Sequence, residues 1–275
     1  MRQIDFGIAR IAHVMWESEL EELAGRRRKT VQLTSHEECE LGQWLHGEGI
    51  RELYHLTPLR QLVEIHEQFH RSAHLLLSIV STSTPDQVEQ EMRQIRSLSR
   101  DIVHFITEAE LDYLEHKPLD DFSAHPFRTM IHRLFNIHIP GHEDRELHSV
   151  LDVSHARLMH LRWSRQLLKA FQNWGRDAVL EPAESCFVGI WIHEVNTRRR
   201  FDDAVIHELE DRHQRFHQRA EETIRLLRRK NFRKSEEAYQ DVVRLGREVI
   251  YLLTRIEMTL LQSGEVDKPI NLLGH

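Results

Sequence analysis

The feature that most constrains this chain is a set of four metal-ligating residue types that occurs twice in one register. The first set is His13, Cys39, His66 and His70. The second is His160, Cys186, His213 and His217, each 147 residues after its counterpart. The chain has two cysteines in 275 residues, and both fall at the matched position. Thiolate sulfur and imidazole nitrogen are ligands that Zn²⁺ favours, and three His with one Cys make a tetrahedral shell. Two copies at one offset argue that the spacing is functional rather than accidental.

The same shift aligns much more than the ligands. Asp5, Ala9, Arg10, Trp16 and Leu20 recur as Asp152, Ala156, Arg157, Trp163 and Leu167. Gly42, Trp44 and His46 recur as Gly189, Trp191 and His193, and Phe69 and Ala73 as Phe216 and Ala220. Leu98, Arg100, Glu110 and Leu114 recur as Leu245, Arg247, Glu257 and Leu261, with no gap anywhere. The reading is a tandem duplication: repeats over 1–116 and 148–263, a connector over 117–147 and a tail over 264–275.

Periodicity predicts an all-α fold. Apolar residues at Ile8, Ile11, Ala12, Met15, Leu20 and Leu23 form one face of a helix from Ile4 to Leu23. A short helix over Glu37–His46 is expected to end at Gly47 and Gly49. Thr57 as N-cap and Pro58 in the first turn start a third helix that runs to about Val80. A fourth covers about Gln87–Glu115, with Thr84 or Asp86 as cap and Val88, Met92, Ile95, Leu98, Ile102, Ile106 and Leu111 on one stripe. Three long helices and one short one per repeat describe two four-helix-bundle-like units. The stretch 117–150 holds Pro118, Pro126, Pro140 and Gly141 and five histidines, His125, His132, His138, His142 and His148. Its apolar residues (Phe127, Ile131, Leu134, Phe135, Ile137) predict a partly ordered segment that packs on something, with a short helix over Phe127–Phe135.

Composition removes several function classes. A net charge of −7 argues against nucleic-acid binding. The longest apolar stretch, Leu75–Val80, is far too short to span a bilayer, and MRQIDFGIAR is no secretory signal. One cysteine per repeat forbids an intra-repeat disulfide and fits a reducing, cytoplasmic compartment. No phosphate-binding Gly loop, nucleophile triad or carboxylate pair stands out.

His66 and His70 lie four apart on a predicted helix, so both imidazoles share a face one turn apart. His13 comes from the first helix. Cys39 comes from the start of the second, where the positive helix terminus favours thiolate. One ion would tie three helices together. Four protein ligands leave no open position for a water nucleophile, so the site reads as structural or sensing rather than hydrolytic, and the protein as no enzyme.

The residues around these ligands resemble the chemoreceptor zinc-binding domain, CZB. His13 and Trp16 match its HxxW. Cys39, Leu41, Gly42, Trp44, Leu45, Gly47 and Gly49 match its CxLGxWL and Gly-rich turn, and His66, Phe69 and His70 its HxxFH. The second repeat keeps His160, Trp163, Cys186, Gly189, Trp191, His213, Phe216 and His217. It has Val188 for Leu, Val195-Asn196-Thr197 for the Gly-rich turn, and no Pro at Val205. The resemblance implies a bacterial helical unit that holds one Zn²⁺ through three His and one Cys, hence two zinc ions per chain. It further implies a sensor of zinc, or of oxidants of the hypochlorous acid type, serving chemotaxis receptors or diguanylate cyclases, and a tendency to pair. Here the two repeats are expected to pack as an intramolecular pseudo-dimer, or the chain to form a homodimer. No cyclase, methyl-accepting or kinase sequence flanks the repeats, so any signal is expected to leave through partner proteins, with no nucleic acid and no membrane involved.

Other readings stand beside these. The site could be a static zinc-stapled scaffold or zinc buffer. A hemerythrin-like di-iron protein would suit HxxxH-rich bundles, but the paired cysteines count against it. Trp16, Trp44, Trp163 and Trp191 read as core wedges beside the metal. His46 and His193 read as an exposed helix end or as support for the ligands. Arg10 and Arg157 either orient a carboxylate or lie on a solvated face. His138 and His142 have helical spacing, but Pro140 and Gly141 intervene. His74 has no counterpart and stays outside the shell. Arg26-Arg27-Arg28-Lys29 reads as a solvated loop.

Overall fold

A computed structural model of the chain describes residues 6–25, 30–47, 55–116, 150–172, 175, 178, 180–193 and 203–263. Among the described residues helices are the only regular elements, and there is no strand. The elements are α1 (Phe6–Ala24), α2 (Glu40–His46), α3 (Thr57–Ile79), α4 (Pro85–His116), α5 (Val150–Gln172), α6 (Phe187–His193), α7 (Asp203–Arg228) and α8 (Phe232–Ser263). The second four follow the order and lengths of the first four closely. The Arg26–Lys29 run, the connector with its expected Phe127–Phe135 helix and its His138/His142 pair, the Val195–Thr197 departure and the tail lie outside the described residues.

The predicted α4 stripe is the buried one: Val88, Met92, Ile95, Leu98, Ile102, Ile106 and Leu111 are all in the core. In α8, Ala238, Val242, Leu245, Val249, Leu252, Ile256 and Leu260 bury a stripe of the same pitch. Starts and stops follow local chemistry. Thr84 caps α4 through a reciprocal box, Gln87 N–H donating to Thr84 Oγ1 (3.4 Å) and Thr84 N–H to Gln87 Oε1 (3.1 Å). Asn231 Oδ1 accepts from Lys234 N–H at the start of α8. The start of α3 departs from expectation. Leu56 is the N-cap, without a side-chain bond, and Thr57 is already helical. Pro58 supplies the preset φ one position later, and the Thr57 hydroxyl accepts from Arg60 instead.

The long helices α4 and α8 have a second apolar face. Val14, Val103, Leu111, Leu114, Leu158, Leu161, Ile250 and Tyr251 form one cluster drawn from both halves of the chain. α8 packs against α1 and α4, and α4 against α5, so the halves share a core. Ion pairs rim it: Arg165 with Asp112 (2.7 Å) and Arg247 with Asp101 (2.5 Å). Two further pairs stand in the repeat register, Arg10–Glu110 (2.6 Å), with a buried arginine and a partly buried carboxylate, and the deeply buried Arg157–Glu257 (2.5 Å). Arg10 and Arg157 are 1% and 0% exposed, which settles them as carboxylate-orienting rather than solvated. Burial alone would raise the Glu257 carboxyl, but Arg157 and Arg10 together hold it below the ordinary carboxylate range. The four side chains thus act as one electrostatic unit across the two halves.

One contact breaks the register. Buried Glu17 accepts a hydrogen bond from Tyr251 of the other half (2.8 Å). The matched positions are Ser164 and His104. Burial pushes the Glu17 carboxyl up to about 7, against the opposing effects of the Ser99 and Tyr251 hydroxyls. A carboxyl raised in the folded state stabilises that state fully below its unfolded value. The contribution is lost as pH rises through about 7. The loss is on the order of 3 kcal/mol. Glu17→Gln keeps the acceptor and removes the titration. Its melting temperature is expected to equal that of the unmodified protein at pH 5 and to exceed it by several degrees at pH 8, read from paired thermal melts. Equal midpoints at both pH values would refute an ionising Glu17.

Candidate metal centres

Each short helix begins on a tight turn that ends in the cysteine. In the first half, Ser35 O accepts from Cys39 N–H, and Ser35 and Glu38 exchange hydrogen bonds that close the turn. In the second, Pro182 O plays the same part toward Cys186 N–H. Cys39 is the N-cap of α2, and its Sγ accepts from Gly42 N–H at 3.2 Å. Cys186 Sγ accepts from Gly189 N–H at 3.4 Å. These distances explain the Cys-x-x-Gly spacing. A Cβ at Gly42 would be driven into the His36 carbonyl, and one at Gly189 into that of Ala183. Only glycine lets the turn fold back against the helix.

Opposite each cysteine, α3 and α7 present two histidines one turn apart. Cys39 Sγ lies 3.3 Å from His66 Nε2, which lies 3.2 Å from His70 Nε2. The corresponding distances for Cys186, His213 and His217 are 3.0 and 3.2 Å. In each half the three donor atoms lie within 4.8 Å of one another, and all six residues are buried. The edges of a tetrahedral zinc shell are about 3.3 Å between nitrogens and about 3.5 Å between sulfur and nitrogen. The triads come close to that shape.

The fourth expected ligand stands slightly apart. The His13 ring is centred 6.3 Å from that of His66, and His160 6.1 Å from His213. Each is packed on a phenylalanine, His13 on Phe69 at 4.2 Å and His160 on Phe216 at 4.3 Å. The Nε2 atoms of His13 and His160 are buried without a hydrogen-bond partner among the described residues. Such an orphan costs about 1–3 kcal/mol unless something answers it. His13 and His160 are outside the two triads, but an orphaned imidazole nitrogen beside one thiol and two imidazoles makes a donor set whose chemistry fits zinc.

Electrostatics point the same way. Burial, reinforced by the neighbouring imidazoles, lowers His66 and His213 to about 3 and holds His13 and His160 well below the usual value. Burial also brings His70 and His217 down to about 4, against the pull of the Thr34 and Glu181 backbones. All six are therefore neutral at pH 7, the form that ligates. The cysteines depart from the helix-terminus expectation. Burial raises the Cys39 thiol and pushes Cys186 up to about 11, overcoming the N–H donors of α2 and α6. A short helix end does not by itself ionise a desolvated thiol, so the thiolate needs a cation.

The residues around the ligands are aromatic. Trp16 lies 5.5 Å from His70 and Trp163 4.8 Å from His217, centre to centre, while Trp191 is fully buried. Phe69 and Phe216, recurring but without an assigned role in the sequence, are the platforms under His13 and His160. His46 and His193 sit exposed at the ends of α2 and α6, and His74 is exposed one turn beyond His70, outside the triad. A cleft of about 330 Å³, lined by His155, Trp163, Cys186, Phe187 and His217 among others, opens onto the second site.

Residues 13–77 match the family model described as the chemoreceptor zinc-binding domain, CZB, a span that contains His13, Cys39, His66 and His70. No curated protein and no solved structure matches the chain.

Proposed function

We propose that this chain is a non-enzymatic, cytoplasmic zinc-binding sensor that holds one zinc ion in each of two tandem repeats and signals through partner proteins. The match over residues 13–77 supports zinc binding of the chemoreceptor-associated kind for the first repeat. The observation that carries the reading to both repeats is the pair of buried Cys/His/His triads in one register, each beside an orphaned histidine nitrogen. His13, Cys39, His66 and His70 would hold the first ion, and His160, Cys186, His213 and His217 the second. When bound, zinc supplies the positive charge that keeps each cysteine as thiolate. Among the described residues neither triad includes a carboxylate, which disfavours the di-iron alternative and its bridging ligands.

The surrounding residues favour a response over a static role. A thiolate is open to oxidation to sulfenic acid, a poorer ligand, and the cleft beside Cys186 gives a small oxidant a route. His13 shares α1 with Arg10 and Glu17, both buried about one turn away toward the shared core. His160 shares α5 with Arg157 in the same way. Loss of one ligand would free α1 or α5 to move, and with it the interface between halves. That intramolecular pseudo-dimer is the element a chemotaxis or cyclic-di-GMP partner would read.

The test is one equivalent of hypochlorite per cysteine, added to the zinc-loaded protein. Expected are zinc release to an indicator dye and a matching change in fluorescence from Trp16 and Trp163, both reversed by reductant and zinc. Retained zinc with unchanged fluorescence would favour the static zinc-stapled scaffold instead.

A further inference from the structure

The turn between α7 and α8 departs from the acidic balance of the chain. Arg225, Arg228, Arg229, Lys230, Arg233 and Lys234 place six cations in ten residues with no carboxylate among them. The matched stretch of the first repeat has Ser78, Ser81 and Thr82 where Arg225, Arg228 and Arg229 stand. This charge is therefore not a requirement of the repeat fold. Three of the cations line a cleft of about 500 Å³, together with Ile224, Leu180 and Glu221. Among the described residues Arg233 is paired with Glu237 (3.1 Å), while the three cations of the cleft are held by carboxylates only weakly. Arg228 donates to two backbone carbonyls, Gly175 O (2.9 Å) and Ala178 O (3.0 Å), which fixes its guanidinium without cancelling its charge. Arg225 reaches Glu222 at only 3.7 Å, and that carboxylate is held more closely by Arg219, at 2.5 Å. Arg229 has no carboxylate partner among the described residues and is exposed.

We propose that this cleft is a binding site for a small phosphorylated molecule of the nucleoside monophosphate class. The guanidiniums supply forked donors suited to phosphate oxygens, with Arg228 already locked in place. Ile224 and Leu180 give an apolar wall for a ring. Glu221, which would repel a bare anion, instead accepts from a ribose hydroxyl or an exocyclic amine and so selects a phosphate that carries such a donor. The volume suits a ligand of that size. An arginine fixed by two backbone carbonyls beside an apolar wall fits a soluble ligand better than a lipid surface. The cleft borders the second metal centre, with Glu221 one helical turn beyond His217 and Leu180 next to Glu181, but none of its lining residues belongs to a triad, so the proposal does not depend on the zinc assignment.

Calorimetric titration of the full-length, zinc-loaded protein with adenosine 5′-monophosphate at constant ionic strength tests this. Saturation below roughly 1 mM is expected, with adenosine at least about tenfold weaker. Arg225→Gln with Arg229→Gln should weaken binding by about tenfold or more, the loss expected for charge-assisted hydrogen bonds, while zinc content and melting temperature stay unchanged. Arg229→Gln alone, at an exposed side chain, provides a variant that keeps the fold, with a loss of roughly threefold expected. Equal affinity for adenosine, undiminished binding by the variants, or arginine-dependent sedimentation with phosphatidylglycerol vesicles in place of nucleotide binding would each overturn the proposal.

Discussion

Stripping zinc with a strong chelator is expected to lower the melting temperature by roughly 15–30 °C. A ligand that binds only the folded state stabilises it by about 4 kcal/mol at a thousandfold excess over its dissociation constant. Two sites give about 8 kcal/mol, and each kcal/mol moves the midpoint by roughly 2–4 °C at this size. The effect is large because each ion would join three elements that otherwise meet through few contacts. α2 and α6 are seven-residue helices, too short to persist without tertiary anchorage. They are anchored by the apolar residues they bury (Leu41 and Leu45 in α2; Val188, Trp191 and Ile192 in α6) and by the sulfur at each N-terminus. The zinc-free protein should also be acid-sensitive in a defined direction. His66 and His70 have folded values near 3 and 4, below the unfolded value near 6.5, so the unfolded state binds more protons. Their contribution is complete above about pH 6.5 and declines as pH falls toward 4. Differential scanning calorimetry of loaded and stripped protein at pH 7.5 and pH 5.5 reads both effects. An unchanged midpoint after complete zinc removal would refute the idea that the ion staples the helices.

Arg157→Ala is expected to cost about 3–5 kcal/mol, more than nearly any surface substitution, because it strands a buried carboxylate. Glu257 is 2% exposed and receives hydrogen bonds from Arg157 and Ser154. Its charge is held by Arg157 first and Arg10 second, so the loss should extend to the neighbouring Arg10–Glu110 pair. Replacing both partners with apolar residues, Arg157→Met with Glu257→Leu, should recover most of the stability, since no unpaired charge remains. Denaturant unfolding of the single and double variants measures this. A double variant as unstable as the single one would show that the charges contribute more than mutual neutralisation, through a coupling to Arg10 and Glu110.

Much of the fold was legible because two independent signals coincide. A 3.6-residue stripe from Val88 to Leu111 gives a helix and its inward face. The 147-residue offset gives a second reading of every element. The convergence of Cys39, His66 and His70 was equally open, since i,i+4 spacing leaves two imidazoles little choice of direction. The departures have physical causes. The α3 start shifted by one residue because the Thr57 hydroxyl, the better cap by side chain, is engaged by Arg60 within the helix, leaving Leu56 as a cap through its backbone alone. The thiol protonation state went against the helix terminus because desolvation depends on the packing of distant residues. The shared core was only half visible: α4 and α8 carry two apolar faces, but nothing in their pattern says which neighbour covers the second. The buried charge unit at Arg10, Glu110, Arg157 and Glu257 showed itself as a recurrence, yet an arginine that recurs can be solvated or buried until its surroundings are known. The Glu17–Tyr251 contact could not be found by comparing repeats, because it is where they differ.

The most direct test of the central claim is the metal content of the purified chain, measured by mass spectrometry for the unmodified protein, Cys39→Ala and Cys186→Ala. Two zinc ions per chain, falling to one in each variant, is the result this account requires. Iron in place of zinc, or a zinc content that neither substitution lowers, would contradict it.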